Sequence, residues 1–398
     1  MSHFSRIQVL PALNLAITPN FDDSGRGTCL VIRMNIQAPC LDPLDGFLMS
    51  LPLQVGNVPT QAYDQRTLNA FDNSGALPME IRDVASPLLQ FKANTRIVCH
   101  NQNITVNDDQ EKERQWHVLR PTNGDVVVQF SAFPRHVDMK TPVGPRVDLR
   151  EDQGGLQGAG ITFIPIPGVR RGHSSMAQSE EEEPEYIITV EWDLNHSPKG
   201  TRAVWTFGEG SNVVKVGRLD SLRDSVYMVG PISSNITATA DRSTFVTNGF
   251  SHIGEAAELD TAKGYFGFYW FGSVPPKISN LVSKTKGMFE KMSAMFGDPP
   301  SKENPYRIFI RRSMPARGFG GSAFQRSYVL EYDTYIDEVS EAELLFLLVH
   351  EMVHNWLLMD NETNSPGGDD NAWYIEGISL QNLGPVIARG RTRSYADY

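Results

Sequence analysis

The chain has 398 residues, 40% apolar and 10% aromatic, enough for a sizeable core and two or three domains. Its net charge is −11 and no basic stripe interrupts it, which argues against a nucleic-acid-binding surface. Three cysteines, Cys29, Cys40 and Cys99, have neither disulfide nor metal-type spacing and read as ordinary thiols.

The first segment, MSHFSRIQVLPALNLAITPNF, has no continuous apolar stretch of the signal-peptide kind, because Pro11 breaks it. No later run is long enough to span a bilayer, so a cytoplasmic protein is expected. From the start to about residue 255 the texture is strand-like. Runs such as CLVIRMNIQ (29–37), DVVVQFSAF (125–133), YIITVEWDL (186–194) and RAVWTF (202–207) alternate with Gly, Pro, Asn and Asp clusters. Ile188, Val190 and Trp192 share one face of the third run, and the polar turn Asn195–Gly200 leads into the fourth, which predicts a hairpin. Strands at this spacing predict a β-sandwich over 1–255. The stretch 171–184, with its acidic run Glu180–Glu183, reads as a disordered, solvated insert.

Beyond residue 255 the period changes. Ile278, Leu281, Val282, Met288, Phe289, Met292 and Met295 recur at spacings of three and four. They predict an amphipathic helix over 277–296, opened by Pro275-Pro276 and closed by Gly297. Residues 306–312 and 327–333 read as strands. Ser340 followed by Glu343 is a capping box. It heads LLFLLVHEMVHNWLLM, whose apolar residues nearly encircle the predicted helix and mark it as buried. The fold class expected is α+β, with a β-rich region over 1–255 and a second region over 256–398.

Within the last helix, residues 350–354 read His-Glu-Met-Val-His. Histidines four apart share a helix face, so both imidazoles can reach one ion. Glu351 lies about 100° around from His350, placed to touch a water beside the ion rather than the ion itself. Zinc lowers the pKa of water to about 7, and a carboxylate so placed takes the proton as the water attacks a carbonyl. Histidine and glutamate in an apolar helix are costly unless paired or bound to metal, which favours the ligand reading. A catalytic zinc needs a third protein ligand. Glu376, in Trp373-Tyr374-Ile375-Glu376-Gly377, is the leading candidate, with 21 residues between it and His354. Asp360, Glu362, Asp369 and Asp370 compete from a polar loop where they read as solvated. Asp333 and Asp337 precede the helix and read as loop caps or as partners for a ligand imidazole. His100, His117 and His252 have no acidic partner at a telling spacing.

HEMVHNW followed by WYIEG resembles the gluzincin metallopeptidases, nearest to the glycyl aminopeptidase-like family within the aminopeptidase and leukotriene hydrolase group. Asn355-Trp356 directly after His354, the segment WDLNHSPKGTRAVWTFGEG (192–210), and Gly320-Gly321 ahead of the histidine helix carry the likeness. The resemblance implies an N-terminal β-sandwich followed by a thermolysin-like zinc peptidase domain. It implies zinc on His350, His354 and Glu376, with Glu351 as general base. It also implies that Gly320, Gly321, Ser322 and Ala323 contact the backbone of an extended peptide or protein substrate.

Relatives that act as aminopeptidases carry a glutamate in this Gly-rich run, which holds the substrate's α-amine. Here GFGGSAFQRSY (318–328) puts Ala323 or Gln325 there, which leans against an aminopeptidase but does not separate it from an endopeptidase, and the expected class stays an aminopeptidase-like gluzincin. Relatives also continue past the third ligand with a helical subdomain that supplies an oxyanion-binding tyrosine. Only 22 residues follow Glu376, so a partial domain is expected, and Tyr395 and Tyr398 receive no catalytic role. The functional expectation is zinc-dependent hydrolysis of peptide bonds. The alternative is a catalytically impaired homologue serving as a β-sandwich binding or scaffold protein.

Overall fold

A computed structural model describes residues 10–85 (45 aside), 112–168, 184–237, 244–246, 265–314 and 319–357. The expected insert at about 171–184 falls almost wholly outside them. Among the described residues the chain is rich in sheet and poor in helix, and the sheets stack in layers.

The first layer is a seven-stranded sheet. Its order is Asn212–Gly217, Tyr186–Trp192, Ala12–Phe21, Gly27–Ile36, Val126–Ala132, Leu68–Asp72 and Gly75–Ala76. Strict alternation makes one face of it apolar: Leu13, Leu15 and Ile17 on one strand and Leu30, Ile32 and Met34 on the next are buried. That face packs on a four-stranded sheet through Met49, Leu51 and Trp116 and on a five-stranded sheet through Leu156, Trp205 and Tyr227. This is the sandwich that the sequence texture predicts.

The predicted hairpin across Asn195–Gly200 does not form. Tyr186–Trp192 pairs with Asn212–Gly217 on one side and, in parallel, with Ala12–Phe21 on the other. Arg202–Trp205 lies in the five-stranded sheet, paired with Val226–Gly230. Both edges of the first strand are therefore taken. Ile188, Val190 and Trp192 enter the same core as Ala203 and Trp205, but from the opposing sheet. The polar turn bridges the two sheets rather than folding back within one.

The five-stranded sheet is buried on its second face too. Val204, Val226 and Met228 pack against Tyr269, Phe271, Phe309 and Val329 of a six-stranded sheet. That sheet runs Thr244–Val246, Ile232–Thr237, Phe266–Phe271, Tyr306–Arg312, Ser327–Tyr332 and Gly320–Phe324. Its central strands are parallel and covered on both faces, so nearly every residue along them is buried, Arg307, Arg311 and Glu331 included. Its sequence begins at Ile232, ahead of residue 255.

Three α-helices are described: the single-turn α1 (Asp220–Arg223), α2 (Pro276–Phe296) and α3 (Glu341–Leu357). The latter two cover the outer face of the six-stranded sheet. Pro276 in the first turn and Gly297 in the left-handed conformation (φ 66°) bound α2 as expected. Ile278, Leu281, Phe289 and Met292 face the sheet, whereas Met295 is exposed. The capping box of α3 is formed. Ser340 Oγ accepts from Glu343 N at 3.2 Å, and Ser340 N donates to Glu343 Oε2 at 2.9 Å. No helix among the described residues is long and apolar enough to cross a membrane.

Candidate functional site

Leu344, Leu348, Val349, Met352 and Val353 anchor α3 in the core beneath it. That packing sets the rotation of the helix and fixes where its polar residues fall. His350 and His354 lie on one face, one turn apart. Their Nε2 atoms converge to 3.2 Å, with the rings nearly perpendicular. Two nitrogens bound at 2.0–2.1 Å to a tetrahedral zinc stand about 3.3 Å apart. The two imidazoles thus already have the spacing of ligands to one ion, and the residues present fit zinc. His354 and Glu351 are buried, and His350 is half-buried and stacks on Phe346. Among the described residues no group of three metal-ligating side chains is assembled. Glu376 lies outside the described residues.

The Gly-rich run is brought to the same place. Gly320–Phe324 is the edge strand of the six-stranded sheet among the described residues, paired antiparallel with Ser327–Tyr332. α3 lies across it. Gly321 faces Glu351 so closely that a Cβ there would stand 2.6 Å from Glu351 Cγ and 2.7 Å from its Cδ and Oε1. Only glycine leaves room for the carboxylate. Successive strand residues point to opposite sides, and Gly320 faces Arg146, with a Cβ 2.9 Å from its Nη2. Ser322 Oγ accepts from Arg146 N at 2.7 Å and donates to Gly321 O at 2.9 Å. Ala323 is half-buried.

Glu331, the carboxylate nearest the run in sequence, is committed elsewhere. Its Oε2 accepts from Arg311 Nε at 2.7 Å. Burial pushes its pKa up, but Arg311, Arg146 and Arg150 overcome this and hold it below the usual range. Arg311 also donates from Nη2 to Asp148 Oδ1 at 2.7 Å and from Nη1 to Asp148 O at 2.7 Å. Sequence reasoning missed this network. Its members lie between residues 146 and 331 and carry no local pattern.

Asn355 and Trp356 have structural partners. Asn355 Oδ1 accepts from Arg326 N at 3.2 Å, Trp356 Nε1 donates to Asp298 Oδ2 at 2.9 Å, and the Trp356 ring stacks on Phe296. Trp356 pins the end of α3 to the end of α2, and Asn355 pins it to the turn between Gly320–Phe324 and Ser327–Tyr332. Asp333 Oδ1 accepts from Tyr335 N at 2.9 Å, in keeping with a turn cap. His117 lies on a strand of the four-stranded sheet, next to Gly46 O and Gln115. Burial lowers its pKa. His100 and His252 lie outside the described residues. Tyr306 and Tyr328 are buried under α3, and desolvation pushes both phenols well above their ordinary pKa, with the Glu351 charge adding to it.

No protein-family model matches the chain, and no curated protein matches its sequence. Among solved structures it is similar to an aminopeptidase N family protein from Idiomarina loihiensis. The identity is 14% and the TM-score 0.51, over 94% of this chain and 55% of that one. An M1 zinc metallopeptidase from Deinococcus radiodurans matches at 11% identity and a TM-score of 0.44, over 94% of this chain and 71% of that one. The chain spans about 55% of the length of the first of these. At this identity the likeness is one of fold alone: a sheet-rich arrangement shared with the aminopeptidase N family protein.

Proposed function

We propose that the chain is a zinc-dependent peptidase of the gluzincin type, with Glu351 as general base and His350, His354 and Glu376 as metal ligands. The observation that carries the reading is the convergence of the two Nε2 atoms at 3.2 Å, one residue from a buried Glu351. On this reading the region from Ile232 onward belongs to a thermolysin-like domain behind the β-sandwich. The likeness in fold to an aminopeptidase N family protein adds support of a coarser kind.

Zinc, when bound, supplies Lewis-acid polarisation of the substrate carbonyl and acidifies water. The chain's own residues do the rest. Glu351, held against Gly321, takes the proton of the attacking water and returns it to the leaving amine. The edge strand Gly320–Phe324 offers main-chain groups to an extended peptide, which adds to the sheet as a further strand. Gly320 and Gly321, whose missing Cβ atoms leave room for Arg146 and Glu351, lie on this edge with Ser322 and Ala323. Ala323 cannot pair with an ammonium, so the strand gives no anchor for a free N-terminus. Internal peptide bonds suit this strand.

Zinc stoichiometry of the wild-type chain and of His350→Gln, His354→Gln and Glu376→Gln, read beside hydrolysis of a mixed peptide library, tests the assignment. Expected are one zinc per wild-type chain and a large loss of affinity in each variant. Wild-type zinc binding in all three would overturn it.

A further inference from the structure

On the side of the Gly320–Phe324 strand away from α3 lies a cluster of buried charge. Four guanidinium groups, Arg135, Arg146, Arg150 and Arg311, surround two carboxylates, Asp148 and Glu331, and line one recess. Both carboxylates are held by guanidinium groups. Asp148 Oδ1 takes Arg311, and its Oδ2 takes Arg150 at 2.8 Å and Arg135 at 3.2 Å. Glu331 Oε2 takes Arg311 at 2.7 Å. The positive charges outnumber the negative by two.

Arg146 shares Glu331 with Arg311 as its counter-charge. Only 3% of Arg146 is exposed. Its Nη1 donates to Gly144 O, and its Nε stands 3.5 Å from Glu331 Oε1 without hydrogen-bond geometry. Its Nη2 has no hydrogen-bond partner among the described residues. A largely buried cluster with two positive charges in excess is strongly unfavourable unless further negative charge meets it. A water molecule in the recess would satisfy a donor but leave the charge. The free volume, about 10 Å³, suits one water or one ion of similar size, and a carboxylate or phosphate group exceeds it.

We infer that this recess is a binding site for a monatomic monovalent anion of the halide type, held by Arg146 with Arg135 and Arg150 around it. The anion supplies the missing negative charge. It also ties the Arg146 segment to the edge strand, because Arg146 abuts Gly320 and its main-chain N–H is bonded to Ser322 Oγ. Neither measurement below reads hydrolysis, so the outcome does not depend on the peptidase reading.

Crystals of the full chain grown in sodium bromide, with data collected at the bromine edge, give the direct test. Expected is an anomalous peak in the recess, within about 3.5 Å of Arg146 Nη2. An empty recess overturns the proposal. Melting temperature is measured in parallel against sodium chloride, with sodium gluconate at matched ionic strength as the control. The wild-type chain is expected to show a saturable rise of about 2 °C with chloride alone, and Arg146→Gln no such rise. An equal response in Arg146→Gln and wild type overturns the proposal. If Arg146→Gln does not fold, the bromide map of the wild-type chain decides alone.

Discussion

Gly321→Ala separates the chemistry of the site from its stability. The residue lies in an extended strand, so alanine meets no backbone conflict there. The cost falls on one neighbour, since the three atoms nearest the new Cβ, at 2.6, 2.7 and 2.7 Å, all belong to Glu351. Carbon atoms rest about 3.5–4.0 Å apart, so the carboxylate must retreat by about 1 Å. Overpacking of this kind costs about 1–3 kcal/mol, and the lower end applies because a side chain, not the backbone, gives way. A 1 Å misplacement of a reacting group costs about a hundredfold in rate. The expected result is a kcat down about a hundredfold on a fluorogenic peptide, with zinc content unchanged and about 1 kcal/mol lost in denaturant unfolding. Gly320→Ala is the control. Its Cβ meets Arg146 on the other side of the strand, so it should cost stability without the same loss of kcat. Wild-type kcat in Gly321→Ala, or an equal loss in Gly320→Ala, would refute the placement of Glu351.

Arg311→Met should destabilise the chain by about 3–5 kcal/mol in urea, because Asp148 and Glu331 lose their shared buried partner; a loss under about 1 kcal/mol would show the network to be dispensable. The same network sets an acid dependence. Burial raises the Asp148 pKa, but Arg311 and Arg150 bring it from 3.8 down to about 2. A depressed carboxylate contributes stability that is present above its unfolded pKa and lost as the pH falls through its folded one. About 2 kcal/mol should therefore disappear between about pH 4 and pH 2, and a melting-temperature series across that window should flatten in Arg311→Met. Ser340→Ala removes the Oγ that accepts from Glu343 N and should cost about 1 kcal/mol of thermal stability with zinc content unchanged; an unchanged melting temperature would deny the cap its role.

The parts legible in the sequence were those governed by local rules. Periodic apolar residues mark α2 and α3, Ser340 and Glu343 mark the start of α3, Gly297 marks the end of α2, and 306–312 is a strand with the bounds expected. The pairing of His350 with His354 follows from helix geometry alone. Partner choice between strands is another matter. The runs 186–192 and 202–205 carry hairpin chemistry, yet they join opposite sheets, because ladder partners come from residues 12–21 and 226–230. A polar turn between two alternating runs serves a hairpin and a bridge between sheets equally well. The contact of Gly321 with Glu351 and the Asp148–Arg311–Glu331 network were invisible for the same reason. They depend on how layers stack, and residues 148 and 311 are brought together only by the packing of the five- and six-stranded sheets. Gly320 and Gly321 were singled out by resemblance. The close approach of Glu351 supplies the physical reason for the second glycine.

Hydrolysis of a peptide library by the zinc-loaded wild-type chain and by Glu351→Gln, with zinc measured in both, tests the central claim most directly. Expected are stoichiometric zinc in both proteins and a rate about 10²–10⁴-fold lower in the variant. Hydrolysis that survives Glu351→Gln, or zinc bound without hydrolysis by the wild-type chain, would contradict it, and the second result would favour a binding or scaffold role for the β-sandwich.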